Sequence, residues 1–171
     1  MNEYIKSDLY RYCGNSTLKS FICEIWKNKA FRHMVGVRLA SQNKRYMWLY
    51  KILSSEHISI TPQTKIGYGL YIGHGNLGGV IVNSSAVIGN NVNLSQFTTI
   101  GANEGSAAVV GSNTYIGPHT CIIEHVIIGK NVTIGAGSVV TKDIPDNATA
   151  AGNYAKVLNF ENPGRFIKNR Y

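Results

Sequence analysis

One histidine stands in a glycine-rich part of the chain and has a side chain suited to proton transfer. His74 lies within the segment GHGNLGG, residues 73–79, in which four of the seven residues are glycine. An imidazole titrates near neutral pH, so it can take a proton from a hydroxyl group that attacks an electrophile. Glycine lets a loop turn and lets a ligand approach closely. The segment therefore predicts a loop that presents a general base.

The histidine interrupts a repeat of six residues. Apolar residues return at six-residue steps, with two interruptions, and every one of these positions is Ile, Leu or Val. Such a period indicates a parallel β-helix, in which short strands turn these side chains inward and glycine and asparagine form the corners. The positions are Ile60, Ile66, Ile72, Val82, Ile88, Leu94, Ile100, Val110, Ile116, Ile122, Ile128, Ile134 and Val140.

The two interruptions have the same length. The steps from Ile72 to Val82 and from Ile100 to Val110 each contain four extra residues, which predicts two extruded loops, residues 73–79 and 101–109. Insertions in solenoid repeats map to loops on one face, which is often the binding face. His74 is therefore expected outside the core, on the same face as the second loop.

The composition excludes several classes of protein. The chain has 171 residues and a formal net charge of +8, and it is neither low in hydrophobic residues nor of low complexity. No apolar run is long enough to span a membrane, and the first residues do not form a secretory signal. Cys13, Cys23 and Cys121 match neither a zinc site nor a disulfide framework. We expect a cytoplasmic protein, with the inner face of the membrane as a second location.

The positive charge is concentrated before the repeat. Residues 1–57 hold ten Lys and Arg against four Asp and Glu. An apolar stripe from Leu18 to Trp26 has helical spacing, and Ser7 could cap an earlier helix. The sequence predicts three parts: a region of two or three helices covering the first coil (1–57), a β-helix catalytic domain (58–157) and a C-terminal tail (158–171).

The basic helical face has three interpretations. It is a solvated surface, a contact with anionic lipid, or a nucleic-acid contact. Basic residues such as Arg32 and Lys51 alternate with Trp26, Phe31 and Trp48, which keeps a peripheral membrane contact open. No recognition helix or aromatic platform for single strands is present, so we expect no nucleic-acid partner.

Four stretches together carry a family resemblance: DLYRY, TKIGYGLYIGHG, IGNNVNLSQFTTIG and VTIGAGSVVTKDIPDNATAAGNYAKVL. With them the chain resembles the hexapeptide-repeat acyltransferases. More narrowly, it resembles the serine acetyltransferase family and its short relatives in capsule and O-antigen gene clusters. The resemblance implies a left-handed β-helix, an acetyl-CoA co-substrate, a homotrimer with active sites between prisms, and His74 as the general base.

The resemblance also implies a binding wall for acetyl-CoA. Pantetheine would run along Gly117, Ala136, Gly137 and Ser138, and its phosphates would meet Lys142 and Lys156. No metal is expected, because His57, His74 and His125 lack metal-ligand spacing.

The chain departs from the serine acetyltransferases where their charged residues stand. Ser59 replaces the carboxylate that orients the histidine, Gly73 replaces a second aspartate, and Ser106-Ala107 replaces an Arg-His pair that grips serine. A zwitterionic acceptor needs charged partners when it is buried. We therefore expect a saccharide hydroxyl as acceptor, with serine as the alternative.

Other assignments at this site follow from the same departures. Ser59, a backbone carbonyl or Glu104 of the second loop would orient His74, and Asn76 would help to hold the acceptor. A β-helix scaffold without catalytic activity is a third alternative, which the intact His74 loop argues against.

Overall fold

The computed structural model describes all 171 residues, which form a helical region followed by a β-solenoid. Four α-helices and one short 3-10 helix, Lys44–Tyr46, precede the strands. The sequence pattern predicts two or three helices; the structure has more, because Asn28 and Asn43 each end one helix and cap the next. The α-helices are α1 (Glu3–Cys13), α2 (Leu18–Lys27), α3 (Lys29–Gln42) and α4 (Met47–Leu53).

Helix α1 begins earlier than the sequence predicts. The Asn2 side chain accepts the Tyr4 N–H and caps the helix, so Ser7 lies inside α1. The Ser7 hydroxyl instead accepts the Gly69 N–H at 2.9 Å. The predicted cap is therefore wrong, and Ser7 fastens α1 to the first coil of the solenoid.

The strands form three sheets, here called sheets 1, 2 and 3, and all pairs are parallel except that of the last strand. Sheet 1 contains β1 (Ile58–Ser59), β4 (Val80–Val82), β7 (Thr98–Gly101), β10 (Cys121–Ile123) and β13 (Val139–Val140). Sheet 2 contains β2 (Lys65–Ile66), β5 (Val87–Ile88), β8 (Val109–Val110) and β11 (Ile127–Ile128). Sheet 3 contains β3 (Tyr71–Ile72), β6 (Asn93–Leu94), β9 (Tyr115–Ile116), β12 (Thr133–Ile134), β14 (Thr149–Ala151) and β15 (Lys156–Asn159).

This architecture confirms the predicted parallel β-solenoid with N-terminal helices. Ile88 pairs with Val110, and Val110 pairs with Ile128, so a coil takes 22 residues with an inserted loop and 18 without one. Except for the half-buried Ile66, every position of the six-residue repeat is buried. The left-handed sense stays an implication of the resemblance.

The interior is continuous from the helices to the last coil. One cluster of 27 buried apolar residues contains the inward column of the solenoid together with Ala30, Met34 and Val37 of α3. A second side of α3, with Phe31 and Val35, belongs to a small cluster shared with α1. Helix α3 therefore covers the apolar end of the first coil.

Asparagine side chains form a ladder along the corner between sheets 2 and 3. Asn91, Asn113, Asn131 and Asn147 all have positive φ, between 54° and 65°. The amide of each of the first three donates to the side-chain oxygen of the next, at 3.4, 3.2 and 2.9 Å. Asparagine tolerates this left-handed backbone, so the predicted corners are confirmed and the ladder links successive coils.

The two inserted loops lie at different corners of the solenoid, at opposite strand ends of sheet 1, rather than on one face as the sequence predicts. Residues 73–79 join sheet 3 to sheet 1, and residues 102–108 join sheet 1 to sheet 2. Equal loop lengths therefore say nothing about which corner of the triangular coil carries each loop.

A buried ion pair joins the helices to the first coil. The Arg38 guanidinium donates two hydrogen bonds of 2.9 Å to the Asp8 carboxylate, and both side chains are almost fully buried. Arg38 also donates to the carbonyls of Ile66 and Gly67, at 2.7 and 2.6 Å, while Asp8 accepts the Leu70 N–H. The pair thus satisfies backbone groups that have no coil beneath them.

Other helical side chains serve the same backbone. Arg11 donates to the Gly69 carbonyl at 3.0 Å and also to the Asn93 side chain. His33 bridges the Ile60 carbonyl and the Ser55 N–H, at 2.9 and 3.1 Å, which requires a neutral imidazole. Burial lowers the pKa of His33, in agreement with that role.

The C-terminal segment lies over sheet 3 and returns to α1. The Phe166 ring contacts Tyr115, with centroids 5.0 Å apart, and the Phe166 carbonyl accepts from Asn93. Tyr171 exchanges two backbone hydrogen bonds with the Asn91 side chain. The last residue therefore contacts the first rung of the asparagine ladder.

Removal of Arg38 is expected to lower the free energy of unfolding by roughly 3–5 kcal/mol, because Arg38→Ala leaves the buried Asp8 carboxylate without its partner. Urea unfolding followed by circular dichroism measures the change. Lys6→Ala is the matched control, since Lys6 pairs with Glu3 on the exposed side of α1. Equal unfolding midpoints for the two variants would contradict the anchoring role of the buried pair.

Candidate active site

The structure places His74 on the surface, as predicted. Its residue turns through φ of 54°, and the Leu77 N–H donates to the His74 carbonyl at 2.9 Å, which closes a turn. The loop begins after β3 and ends at β4, so both ends are fixed by strands of the first two coils. The imidazole is exposed to solvent at the sheet 3–sheet 1 corner.

Asn76 does not have the role that the sequence predicts. Its side-chain oxygen accepts the Lys29 N–H at 2.7 Å, and its amide donates to the Lys27 carbonyl at 3.0 Å. Both side-chain groups are thus occupied by the α2–α3 junction. Asn76 clamps the loop to the helices, and holding the acceptor is not its function in this structure.

Two of the loop glycines are required by packing. A Cβ on Gly75 would overlap the Ala30 side chain of α3, and a Cβ on Gly78 would come within 3.0 Å of the Phe97 ring. A Cβ on Gly73 would meet nothing nearer than 3.5 Å. Gly75 and Gly78 are therefore required because neighbouring side chains leave no room for a Cβ, and not because a ligand approaches them.

A cleft of about 310 Å³ opens beside the imidazole. Besides His74, no charged or readily titrating side chain lines it. Burial raises the pKa of the Tyr12 phenol, so this side chain stays neutral, and its hydroxyl is bonded to the Ile72 backbone. The cleft is lined by Tyr12, Asn28, Tyr71, Ile72, His74, Gly75, Asn76 and Leu77.

Neither side chain proposed to orient His74 is hydrogen-bonded to it within one chain. Ser59 faces outward on sheet 1, where it is paired with Ile81. Glu104 lies at the other edge of sheet 1, where the Glu124 carboxylate accepts the N–H groups of Asn103 and Glu104. Glu104 and His74 thus lie at different corners of the solenoid within one chain.

The proposed acetyl-CoA wall is only partly assembled. Ala136 and Gly137 are exposed at the same corner as His74, while Gly117 is buried one coil away. Ser138 is not available to a ligand, because its buried hydroxyl donates to the Gly135 carbonyl at 2.6 Å and accepts the Gly152 N–H. Its assignment is corrected to a structural role.

The two proposed phosphate ligands do not converge within one chain. Lys142 is exposed at the corner between sheets 1 and 2, whereas Lys156 is exposed on β15 in sheet 3.

An aromatic stack beside the loop is absent from the sequence-based assignment. The rings of Phe97 and His119 lie 4.6 Å apart with an interplanar angle of 30°. Both residues have positive φ, which is rare for bulky side chains. Because Gly78 packs on the Phe97 ring, the stack supports the loop from the next coils. Their equivalent corner positions, one coil apart, are the sequence signal that could have revealed the pair.

Two other features lie apart from this cleft. A cavity of about 490 Å³ lies between Tyr4, Arg38 and sheet 2, and the Arg38 guanidinium there is fully engaged by Asp8 and backbone carbonyls. The imidazole makes the His74 cleft the better candidate. No three His, Cys, Asp or Glu side chains form a group that could hold a metal ion. The metal-free site stays a prediction.

Comparison with known protein families and solved structures defines the class of the fold. A family profile described as bacterial transferase hexapeptide (six repeats) matches residues 107–142. The soybean serine acetyltransferase apoenzyme superposes with a TM-score of 0.74 and 29% identity, over 91% of this chain and 67% of that one. The chain is thus a hexapeptide-repeat β-solenoid whose structural neighbours are serine acetyltransferases.

Individual relatives in sequence and in structure are also serine acetyltransferases. The Haemophilus influenzae enzyme is 29% identical over 166 residues, which cover 86% of this chain and 61% of that protein. The Neisseria gonorrhoeae serine acetyltransferase in complex with serine gives a TM-score of 0.70 at 27% identity, over 90% of this chain and 67% of that one. A serine acetyltransferase complex with CoA gives 0.72 at 25%, over 90% and 67%.

The chain spans about a third of the length of the first Arabidopsis thaliana relatives that it matches, from 30% to 34% of each. The resemblance to the serine acetyltransferase family, predicted from the motifs, is therefore confirmed for the part of those proteins that the chain covers.

Loss of the Asn76 side chain is expected to loosen the loop. In Asn76→Ala, amide hydrogen exchange in residues 73–79 should accelerate about tenfold or more, because two hydrogen bonds to the helices are lost. Mass spectrometry of the protein without substrates measures this. Asn103→Ala on the second loop is the control and should leave exchange in residues 73–79 unchanged. If amide exchange in residues 73–79 is also unchanged in Asn76→Ala, Asn76 does not fix the loop to the helices.

Proposed function

We propose that the protein is an acetyl-CoA-dependent O-acetyltransferase in which His74 is the general base. The observation that carries the proposal is the imidazole itself. It is exposed at a cleft, held on a clamped loop, and free of hydrogen bonds within the chain, whereas His33 and His125 are engaged by backbone or side-chain groups. The serine acetyltransferase relatives and the complex with CoA support the same reaction class.

The reaction needs only one titrating group. The neutral His74 imidazole accepts the hydroxyl proton as the acceptor oxygen forms a bond to the thioester carbonyl carbon. The carbonyl oxygen carries the negative charge of the tetrahedral intermediate, which then expels the CoA sulfur. The imidazolium returns the proton to that sulfur, so the products are an O-acetyl ester and free CoA. A positioned base of this kind contributes roughly 10²–10⁴ in rate.

L-serine is the acceptor that the comparisons favour, in place of the saccharide expected from the sequence. The curated relatives and the solved neighbours are serine acetyltransferases, and one of the solved neighbours is in complex with serine. Glu104 supports this acceptor from the opposite edge of sheet 1, because its carboxylate could pair with an ammonium group across a subunit boundary.

A saccharide hydroxyl is retained as the second candidate because of one observation. The cleft of a single chain has no charged lining group besides His74, and Ala107, which replaces the acceptor-binding histidine of the serine acetyltransferases, is buried. Neutral hydroxyls bind in such a cleft at a lower desolvation cost than a zwitterion.

A homotrimer is part of the proposal. The two loops lie at opposite edges of sheet 1, so a head-to-tail ring brings the second loop of one chain towards the His74 loop of the next. Exposed apolar side chains on sheets 1 and 2 offer surface for such contacts: Ile81, Val87, Ile123 and Ile127.

Replacement of the base is the direct test of the mechanism. His74→Ala should lower kcat by about 10²-fold or more and leave the dissociation constant of acetyl-CoA near that of the parent. His57→Ala is the matched control, because His57 is also exposed and lies at the start of β1. If His74→Ala keeps more than about a third of the parent kcat, the base assignment fails and the non-catalytic scaffold gains support.

The acceptor is tested by thiol release from acetyl-CoA with serine and with a panel of nucleotide sugars and short glycans. We expect serine to give kcat/KM of about 10⁴ M⁻¹s⁻¹ or above. Glu104→Gln should then raise KM for serine, whereas Glu161→Gln on the C-terminal segment should not. Turnover with a sugar and none with serine would establish the second candidate instead.

Light scattering at moderate salt tests the assembly. The expected mass is three times the 18.7 kDa of one chain. Ile81→Asp should dissociate the assembly and lower activity together, because it places a charge in the proposed interface. A monomer with full activity would contradict a site completed by a neighbouring chain.

A further inference from the structure

Helix α2 presents an apolar stripe that nothing in the chain covers. Leu18, Ile22 and Trp26 follow each other at four-residue spacing, so they lie on one face of the helix. Their exposed fractions are 69%, 51% and 80%. The adjoining part of the same apolar face, with Phe21 and Ile25, packs on the small cluster around Phe31.

Helix α4 repeats this arrangement. Trp48 and Ile52 are 58% and 69% exposed, and they too are four residues apart. Leu53 packs on the same small cluster that receives Phe21 and Ile25 of α2. Both exposed stripes therefore lie in the helical region that packs on this cluster. The end surface is defined here as Leu18, Ile22, Trp26, Trp48 and Ile52.

The charges around the end surface have one sign. Residues 18–52 contain eight Lys and Arg and a single acid, Glu24. Arg38 is buried against Asp8, and the other cations form no salt bridge. These free cations are Lys19, Lys27, Lys29, Arg32, Lys44, Arg45 and Lys51.

We propose that the end surface binds the headgroup region of an anionic lipid bilayer. Exposed Trp, Ile and Leu on short helices flanked by lysine and arginine have the composition of helices that lie in a membrane interface. Each cation near an anionic surface strengthens binding by roughly fivefold. No helix of the chain is long and apolar enough to cross a membrane.

The charge pattern distinguishes lipid from a second copy of the chain. A two-fold contact through this surface would place the same free cations of both copies against each other, with only Glu24 on each side to oppose them. Glu24 is itself engaged, since its carboxylate accepts from the Asn28 side chain at 3.1 Å. Self-association through the end surface is therefore opposed by like charge, whereas an anionic bilayer attracts the same cations.

The end surface is also connected to the His74 loop. Asn76 bonds to the backbone of Lys27 and Lys29, directly after Trp26. Leu77, the next residue of the loop, is 83% exposed. Membrane binding would thus place the candidate active site close to the lipid surface. The inference does not depend on the acceptor or on the transferase activity.

Vesicle co-sedimentation of the full chain tests the proposal. The probes are vesicles of phosphatidylcholine alone and vesicles with about 30 mol% phosphatidylglycerol, each at low and high salt. We expect binding to the anionic vesicles that weakens with salt, and little binding to the neutral ones. Ile22→Ser/Trp26→Ser and Lys27→Gln/Lys51→Gln should each reduce the partition coefficient by about tenfold or more.

A matched variant separates specific contact from general loss of charge or apolar surface. Lys130→Gln/Leu158→Ser changes one exposed cation and one exposed apolar residue outside the helical region, and it should bind like the parent. All these substitutions are at exposed positions, and circular dichroism checks that each variant is folded. Absence of binding to anionic vesicles, or an equal loss in Lys130→Gln/Leu158→Ser, would overturn the proposal. So would concentration-dependent self-association that Ile22→Ser/Trp26→Ser abolishes in the absence of lipid.

Discussion

The first coil of a solenoid has a neighbour on only one side, and the structure of the helical region follows from this constraint. Strands of two to four residues satisfy their backbone groups only through the coils above and below them. In the first coil the groups on the lower side are met by side chains instead. Arg38, Asp8, Arg11, His33 and Ser7 supply donors and acceptors where a further coil would supply backbone. The helices thus take the place of a missing coil in hydrogen bonding. They also replace it in packing, since Ala30, Met34 and Val37 of α3 close the apolar interior.

The same constraint explains why the candidate site lies where it does. Strands must stay in register with their neighbours, so extra residues are accommodated only at corners. The His74 loop belongs to the coil directly beside the helices, and it is held from two sides, by the α2–α3 junction through Asn76 and by Phe97 of the next coil through Gly78. The backbone around His74 therefore keeps a fixed position beside the cleft, although no carboxylate in the same chain orients the imidazole.

The repeat made the solenoid, its buried column and the exposure of His74 predictable, because a period of six residues has a direct physical meaning. What could not be predicted depends on contacts between distant segments. The role of Asn76 rests on where a helix junction falls, and that of Ser138 on a hydroxyl turned towards the Gly135 carbonyl. The corner that receives each insertion was readable, in contrast, because four repeat positions lie between the two insertions and a coil has only three. Ser7 has the residue type of a cap, and only the position of Asn2 shows that the helix starts earlier.

The C-terminal segment changes the way in which this stack of coils can come apart. An open solenoid is a one-dimensional array, in which the last coil can detach while the others remain. Here the chain leaves the far end along sheet 3 and returns to the first rungs, where Tyr171 bonds to Asn91 and to Glu3 of α1. Release of the last coil therefore requires that contacts at the first coil break as well. The segment ties fraying at one end of the solenoid to the other end, and it closes a long loop whose contacts have high sequence separation, which favours slow folding.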